Sequence, residues 1–119
     1  MSDFRVIVCG GRGYADDAHV NAVLDEANRS CFAQGLRLIV IEGGAEGADA
    51  AARHWALQCG VKSETFHADW KRLGRKAGPL RNAAMLDAGA DLVIAFPGGT
   101  GTADMVRRAH VAHVSVVTP

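Results

Sequence analysis

The sequence has no excess of charge and no long apolar run, and each shortage excludes a class of protein. Thirteen basic side chains balance thirteen acidic ones, so bulk charge does not drive binding to nucleic acid or to an anionic membrane. No apolar run is long enough to span a membrane, and the start, Met1 to Arg5, is unlike a signal peptide. We therefore expect a cytoplasmic protein without a membrane partner.

Cysteine is also scarce. The three cysteines, Cys9, Cys31 and Cys59, are widely spaced, which is typical of reduced thiols rather than of a disulfide scaffold. None has the spacing of a zinc site, and His110 and His113 have no second ligand pair nearby in sequence. We therefore expect no metal site and a structural rather than reactive role for Cys9.

Short apolar runs alternate with helical patterns along the chain. The runs predict buried strands at residues 5–9 and 38–41 and further strands at 92–96 and 114–117. Residues 61–66 predict a weaker strand, because Lys62, Ser63 and Glu64 interrupt the apolar pattern. The helical patterns lie at about 17–30, 48–57, 79–87 and 103–110, where Pro79 suits a first helical turn. Apolar strands that alternate with helices are typical of a parallel sheet covered on both faces. We predict one domain, residues 1–119, folded as a three-layer α/β/α Rossmann-like sandwich with a mostly parallel sheet of about five strands.

Glycine is abundant, with 14 residues clustered into three loops that each follow a predicted strand. Ligands bind at the carboxyl ends of the strands in open α/β sheets. Glycine lets the backbone approach a ligand closely, and the N–H groups that start a helix attract phosphate. We therefore predict a phosphate-bearing, nucleotide-type ligand at these loops, with candidate residues Gly10, Gly11, Arg12, Gly43, Gly44, Glu46, Gly47, Gly98, Gly99, Thr100, Gly101 and Thr102.

The three loops differ in how well a plain turn explains them. Loop 97–102 favours a ligand, because a turn with a threonine N-cap needs one or two glycines and this loop has three. In loop 43–47, tight packing of helix on sheet is a stronger alternative, with Asp49 interpreted as a surface acid in the first helical turn. Loop 10–13 lacks the third glycine of the dinucleotide fingerprint, where Asp16 stands.

The sequence lacks the motifs of two common classes of nucleotide-binding enzyme. Glu42 ends a predicted strand and could bind a ribose, but it lies too far from the first loop for the usual dinucleotide pattern. The sequence also has no Gly-Lys-Ser/Thr segment of the P-loop type. We therefore expect neither an NAD-dependent dehydrogenase nor a P-loop NTPase.

A basic stretch without acids contains Lys71, Arg72, Arg75, Lys76 and Arg81. Arg81 lies near a predicted helix start, where an anionic partner would offset its unfavourable interaction with the helix dipole. The stretch is consistent with a phosphate clamp, a local nucleic-acid patch or a solvated mobile loop, and Arg81 with a surface position. Trp70, just before it, is placed either to stack on a base or to cover the edge of the sheet.

Four segments together resemble the SLOG superfamily, which includes the LOG phosphoribohydrolases and the DNA-processing protein DprA. The small YspA-like, YAcAr-type branch is the best match, through residues 43–49 (Gly-Gly-Ala-Glu-Gly-Ala-Asp), 68–70 (Ala-Asp-Trp), 77–82 (Ala-Gly-Pro-Leu-Arg-Asn) and 97–102 (Pro-Gly-Gly-Thr-Gly-Thr). The resemblance covers nearly the whole chain. It implies a Rossmann-like fold, a phosphate-binding loop at 97–102 and a homodimer, and adds Asp69, Arg81 and Asn82 to the candidate binding residues.

The resemblance also implies a possible reaction. The LOG enzymes cleave the N-glycosidic bond of nucleoside 5′-monophosphates with an arginine and with a glutamate three residues after the loop threonine. Arg81 resembles that arginine, but the glutamate position falls on Met105. The candidate catalytic residues are therefore Arg81 and Asp104, with Asp69 or Glu46 as other acids, and the missing carboxylate favours binding over catalysis.

Three functions follow from this interpretation. The first is a nucleotide-binding module that needs no cofactor and takes a small nucleotide-type ligand, as a sensor of nucleotide-derived signals. The second is the N-glycosidic hydrolase. The third is a DprA-like binder of single-stranded DNA that uses the stretch 71–81.

Overall fold

The computed structural model describes residues 1–119, and strands alternate with helices along the chain. The five strands are β1 (Ser2–Cys9), β2 (Leu36–Glu42), β3 (Lys62–Thr65), β4 (Leu92–Ala95) and β5 (Ser115–Val117). The five α-helices are α1 (Asp17–Ala33), α2 (Ala48–Cys59), α3 (Trp70–Leu73), α4 (Ala77–Asp87) and α5 (Thr100–Val111). A 3₁₀ helix, Gly74–Lys76, lies between α3 and α4.

The strands form one parallel sheet in the order β3-β2-β1-β4-β5. The central strand β1 pairs with β2 through Ser2 to Ile7 and with β4 through Val6 to Cys9. The chain builds outward on one side of β1 and then returns to its other side, so the strand order reverses between β1 and β4. The predicted three-layer α/β/α Rossmann-like sandwich is therefore confirmed, and it has the switch point at which such sheets bind ligands.

Two hydrophobic cores cover the two faces of the sheet, because successive strand side chains point to opposite faces. Val6 and Val8 of β1 pack in a core of 14 buried residues with α1 and α2, whereas Ile7 packs in a core of 7 with α4 and α5. The smaller core includes Met85 and Met105, which also reach the carboxyl edge of the sheet. The lining at that edge is therefore continuous with the core.

The stretch from residue 67 to 78 is more regular than the sequence predicts. Helix α3 and the 3₁₀ helix occupy residues 70–76, and α4 begins at Ala77 instead of Pro79. Pro79 is still in the first turn of α4, where its missing N–H removes no intrahelical bond. Arg81 becomes the fifth residue of α4, so the helix dipole acts on it less than the sequence prediction assumed.

Helix α5 also begins earlier than predicted, at Thr100 instead of Ala103. Thr100, Gly101 and Thr102 form its first turn, and Gly99 is the N-cap residue with backbone angles of φ −100° and ψ −142°. No side chain caps this turn, so the interpretation with a threonine N-cap is wrong. The first N–H groups of α5 have no intrahelical acceptor and are left for a partner outside the helix.

The remaining sequence expectations concern membranes, thiols and metals. None of the helices combines the length and the hydropathy that a membrane crossing would need. All three cysteines are free, with Cys31 buried, Cys9 half-buried and Cys59 exposed. The fold groups no three His, Cys, Asp or Glu side chains at one point.

Candidate ligand-binding cleft

A cleft of about 710 Å³ opens at the carboxyl edge of the sheet, where β1 and β4 end. The loops after β1 and β2, the segment from α3 into α4 and the first turn of α5 form its walls. Eleven of the predicted site residues line it: Gly10, Gly11, Arg12, Gly43, Arg81, Asn82, Gly99, Thr100, Gly101, Thr102 and Asp104. The fold thus brings together residues that are far apart in the sequence, in a volume typical of small-molecule sites.

Five other predicted residues lie outside the lining of the cleft: Gly44, Glu46, Gly47, Asp69 and Gly98. Glu46 is exposed. Asp69 is exposed as well, and it caps α3 by accepting the Arg72 backbone N–H at 3.3 Å. The hydrogen bonds from Arg72 hold the pKa of Asp69 below its usual value. Neither acid is placed to donate a proton inside the cleft.

The three glycine loops interlock through Gly11. Its N–H donates to the Pro97 carbonyl oxygen at 2.8 Å, and its own carbonyl oxygen accepts the Ala48 N–H at 3.4 Å. A Cβ at Gly47 would collide with that carbonyl oxygen, and a Cβ at Gly98 would lie 2.7 Å from the Gly11 nitrogen. Gly47 and Gly98 are therefore needed for loop packing, as the alternative for loop 43–47 proposes.

Two other glycines are not needed for packing. An added Cβ at Gly99 or Gly101 would meet no atom within 4 Å. The φ of Gly99 is negative, and Gly101 lies in a helix, where glycine is less favourable than alanine. Both residues line the cleft, so they keep its wall free of side chains.

Arg81 is anchored at the wall of the cleft and is not a solvated surface residue. Its Nη1 donates to the Gly43 carbonyl oxygen at 2.6 Å, and its Nε donates to Asn82 Oδ1 at 3.1 Å. A Cβ at Gly43 would collide with the Arg81 guanidinium, so this glycine makes room for the arginine. The contact joins α4 to the loop after β2 and fixes a positive charge at the cleft.

Asp104 lines the cleft, but its carboxylate is already held by neighbours. Asn82, which is 5% exposed, donates to Asp104 Oδ2 at 3.0 Å and to the Gly101 carbonyl oxygen at 3.2 Å. Arg108 and Arg107 donate to the same carboxylate at 2.8 and 2.6 Å. Burial works to raise the pKa of Asp104, but the bonds from Asn82 and Arg108 outweigh it and the pKa is lowered. Asp104 is therefore an ionised anchor for α5 and a poor proton donor.

Met105 occupies the position that the resemblance to the LOG enzymes assigns to their glutamate. Its side chain is 1% exposed and packs in the smaller core with Met85. It lines the floor of the cleft with thioether and methylene groups. The cleft therefore has no carboxylate at that position, as the sequence predicts.

Asp49 is the residue that the sequence interpretation placed wrongly. It is 5% exposed, not a surface acid, and it lines the cleft. Its Oδ2 accepts the backbone N–H groups of Gly43 and Ala45 at 3.0 and 3.3 Å. Burial is the largest cause that raises the pKa of Asp49. The neighbouring Cys9 thiol has a pKa raised to about 12, first by its own burial and then by the charge of Asp49. The available signal was the position of Asp49 two residues after the end of a glycine loop whose N–H groups need an acceptor.

Trp70 and Arg12 border the exposed side of the cleft. Trp70 is 48% exposed, and the Arg12 guanidinium carbon lies 5.7 Å from its ring centroid, within cation–π distance. Gly78 lies beneath the indole, where a Cβ would come within 3.1 Å of the ring. Arg75 adds a further positive charge to the lining. The indole thus lines the cleft and does not simply cover the sheet edge.

Glu42 has a structural role. It is fully buried at the end of β2, outside the lining of the cleft. Its carboxylate accepts the Gly44 N–H at 2.7 Å and a bond from Arg53 at 2.8 Å, and it also bonds the Thr65 hydroxyl. These donors satisfy the buried charge, so Glu42 is not placed to bind a ribose in the cleft.

Comparison with known families and proteins gives two sequence matches. The family model described as "YspA, cpYpsA-related SLOG family" matches residues 4–73. The Gene 61 protein of Mycobacterium phage D29 is 41% identical over 123 residues, an alignment that covers 95% of this chain and 94% of that protein.

A solved structure has a similar fold. The X-ray structure of DNA processing protein A (DprA) from Streptococcus pneumoniae superposes with a TM-score of 0.55 at 20% sequence identity. The superposition covers 96% of this chain but 58% of that chain, so this protein spans little more than half of the solved DprA chain. The likeness supports the Rossmann-like fold.

Proposed function

Because the chain belongs to the YspA, cpYpsA-related SLOG family, we propose that its cleft binds a nucleotide or a nucleotide-derived phosphate ligand. The phosphate would lie at the first turn of α5, and the base would lie against Trp70. Such a ligand needs backbone donors, positive charge and an aromatic surface in one cleft.

The absence of side chains at the first turn of α5 is the observation that carries this proposal. An added Cβ at Gly99 or Gly101 would meet no atom of the protein, and no side chain caps the helix. A ligand that approaches the backbone closely gives both glycines a function, because a Cβ would stand between it and the N–H groups. Thr100 and Thr102 add hydroxyl donors from the same turn.

The charges that line the cleft also suit an anion. Three arginines line it, Arg12, Arg75 and Arg81. Of the two acids in the lining, Asp104 is neutralised by ion pairs with two further arginines, which leaves Asp49. The surplus is local, because the whole chain carries no net charge. Steering of a phosphate into the cleft should therefore weaken with added salt.

The exposed indole of Trp70 supports an aromatic ligand group. Stacking of a base on an aromatic side chain stabilises binding by roughly 1–3 kcal/mol. The Arg12 guanidinium lies over the ring, so a base that stacks on that face would insert between the two once the arginine side chain moves outward. Trp55, the second tryptophan, is 3% exposed and bonded to Asp25, so it takes no part in this surface.

A thermal-shift screen tests the proposal with nucleoside 5′-monophosphates, NAD, ADP-ribose, ribose 5-phosphate and unphosphorylated nucleosides. A ligand present at a hundred times its Kd stabilises the folded state by about 2.7 kcal/mol. We expect stabilisation by phosphorylated ligands and not by nucleosides. Arg75→Ala should weaken binding by about threefold to tenfold, whereas Arg29→Ala, an exposed arginine of α1, should not change it. The absence of any shift across the panel would refute the proposal.

The hydrolase alternative has less support from the geometry. Its carboxylate position holds the buried Met105, and the neighbouring Asp104 has a lowered pKa and three side-chain donors. Incubation with nucleoside monophosphates, followed by chromatography for the free base, separates the two functions. If the wild-type protein releases free base and Arg81→Ala does not, the hydrolase function is supported.

A DNA-binding surface is a second candidate, because four exposed cations lie within six residues beside the cleft: Lys71, Arg72, Arg75 and Lys76. Such a cluster can contact successive phosphates of a single strand. Gel-shift titration with single-stranded DNA at several salt concentrations tests it. Binding should fall steeply as salt rises, and the absence of salt-dependent binding would remove this candidate.

We also propose a homodimer. Phe32 and Leu57, near the ends of the neighbouring helices α1 and α2, are 78% and 80% exposed, and a second copy would cover them. Light scattering coupled to gel filtration should give twice the monomer mass of 12.5 kDa. A monomer across the micromolar range would exclude it.

A further inference from the structure

One carboxylate oxygen in the floor of the cleft has no partner within the protein. Asp49 is 95% buried, and its Oδ2 receives two backbone N–H groups, whereas no hydrogen bond or ion pair reaches Oδ1. The fold leaves no fully buried side-chain oxygen or nitrogen unsatisfied. Since Asp49 lines the cleft, Oδ1 must be open to it.

A lone carboxylate oxygen at this position selects a hydrogen-bond donor. A carboxylate repels phosphate, so the anionic part of a ligand is expected away from Asp49, at the backbone N–H groups of the first turn of α5. A ligand that replaces the water at this oxygen must supply an O–H or N–H that donates to it, because a desolvated carboxylate oxygen without a donor is unfavourable. The ligand therefore needs both an anion and a donor group.

The positions of Trp70 and Asp49 indicate which group of the ligand donates to Asp49. A base that stacks on the half-exposed Trp70 occupies the exposed side of the cleft, whereas Asp49 lies in its buried floor. The part of a nucleotide between phosphate and base is the sugar, whose hydroxyl groups are donors. We propose that Asp49 accepts a hydrogen bond from a sugar hydroxyl, so that the cleft prefers ribosyl phosphates to their deoxy counterparts. This inference rests on the proposed binding of a nucleotide-type phosphate.

Asp49→Asn is a sharp test, because it exchanges an acceptor for a donor at one point. The asparagine oxygen can keep the bonds from the Gly43 and Ala45 N–H groups, and its NH₂ then replaces Oδ1. The NH₂ can donate to the oxygen of a sugar hydroxyl, but a hydrogen bond between neutral groups is weaker than one to a carboxylate. Asp87→Asn makes the same chemical change at an exposed residue of α4 and serves as the matched control.

Calorimetric titration should compare ribose 5-phosphate with 2-deoxyribose 5-phosphate, and AMP with its 2′-deoxy and 3′-deoxy analogues. Wild type and Asp87→Asn should bind the ribosyl ligand about 10- to 100-fold more tightly than at least one deoxy analogue, as expected for a hydrogen bond to a charged group. In Asp49→Asn the preference should fall to about 2- to 10-fold, as expected for a hydrogen bond between neutral groups. The base-free pair excludes a contact from the base amino group.

Two results separate failure of this inference from failure of the proposed function. If wild type binds the ribosyl and deoxyribosyl ligands equally well, Asp49 does not read a hydroxyl, although phosphate binding stands. If wild type binds none of these phosphates, the proposed function and this inference both fall. Should Asp49→Asn not fold, the wild-type comparison alone still decides the question.

Discussion

Replacement of Gly101 by alanine should make the protein more stable and its ligand binding weaker. Gly101 is the second residue of α5, and an added Cβ would meet no atom within 4 Å. Alanine is favoured over glycine in helices by about 0.5–1 kcal/mol. For a domain of this size, that corresponds to a rise in Tm of about 2–4 °C.

The same methyl group should obstruct the ligand. It would stand on the wall of the cleft, beside N–H groups that a phosphate approaches to about 3 Å. We expect affinity for the best phosphate ligand of the thermal-shift screen to fall by at least about tenfold, the equivalent of one lost charge-assisted hydrogen bond. Calorimetric titration and thermal unfolding on the same preparation measure both effects.

Two further glycines provide the controls. Gly13 has open space around it and lies outside the lining of the cleft, so Gly13→Ala should leave affinity unchanged. Gly98→Ala should instead destabilise the fold, because its Cβ would meet the Gly11 nitrogen. Wild-type affinity in Gly101→Ala would refute the argument that the glycine serves a ligand, and a lowered Tm would refute the steric argument itself.

Three further predictions follow from the same geometry. Gly47→Ala should cost more than about 3 kcal/mol, since it combines a positive φ with a backbone collision, whereas Gly60→Ala, at positive φ in open space, should cost about 1 kcal/mol in chemical denaturation. AMP should quench the fluorescence of Trp70 while ribose 5-phosphate should not, and Trp70→Leu should abolish the difference; equal quenching by both would refute the stacking. Burial raises the folded-state pKa of Asp49, so its contribution to stability is lost as pH rises from the unfolded value of 3.8 through the folded pKa. The stability of Asp49→Asn relative to wild type should therefore increase with pH over that window. The folded pKa of Asp104 is lowered, so its contribution should be lost as pH falls from 3.8 through the folded pKa, and urea titrations of Asp104→Asn that show the same sign as Asp49→Asn would contradict the assignment.

Most strands could be predicted because they contain a continuous apolar run, whereas β3, Lys62–Thr65, is polar and gave a weaker signal. The limits of several elements depend on distant partners. β1 begins at Ser2 instead of Arg5 because β2 lies beside it from Leu36 onward. The strand order is likewise a property of helix packing on two faces, which no local pattern encodes. The start of α4 at Ala77 follows from the 3₁₀ helix that leads into it, and the sequence signal at Pro79 pointed two residues too late.

The cleft could be predicted in part. The loop residues were identifiable because strand-end glycines before a helix have few structural uses, and Met105 was identifiable from the position of the missing glutamate. Asp49 was placed wrongly because an acid in a first helical turn is usually a surface residue, and only the folded backbone of loop 43–45 reveals its two bonds. The orientation of Trp70 depends on its contacts with Gly78 and Arg12, which are remote in sequence.

The hydrogen bonds of Gly11 determine which part of the cleft is already formed before a ligand binds. They tie together the loops after β1, β2 and β4, so the phosphate end of the cleft exists before anything binds and little conformational entropy is lost there. Helix α3 and the following 3₁₀ helix contain no buried residue. Their local unfolding therefore requires little free energy, so this segment is the part of the cleft that can adjust to a ligand. Recognition in this cleft therefore combines a rigid half that fixes the anion with a deformable half that fits itself to whatever the anion carries.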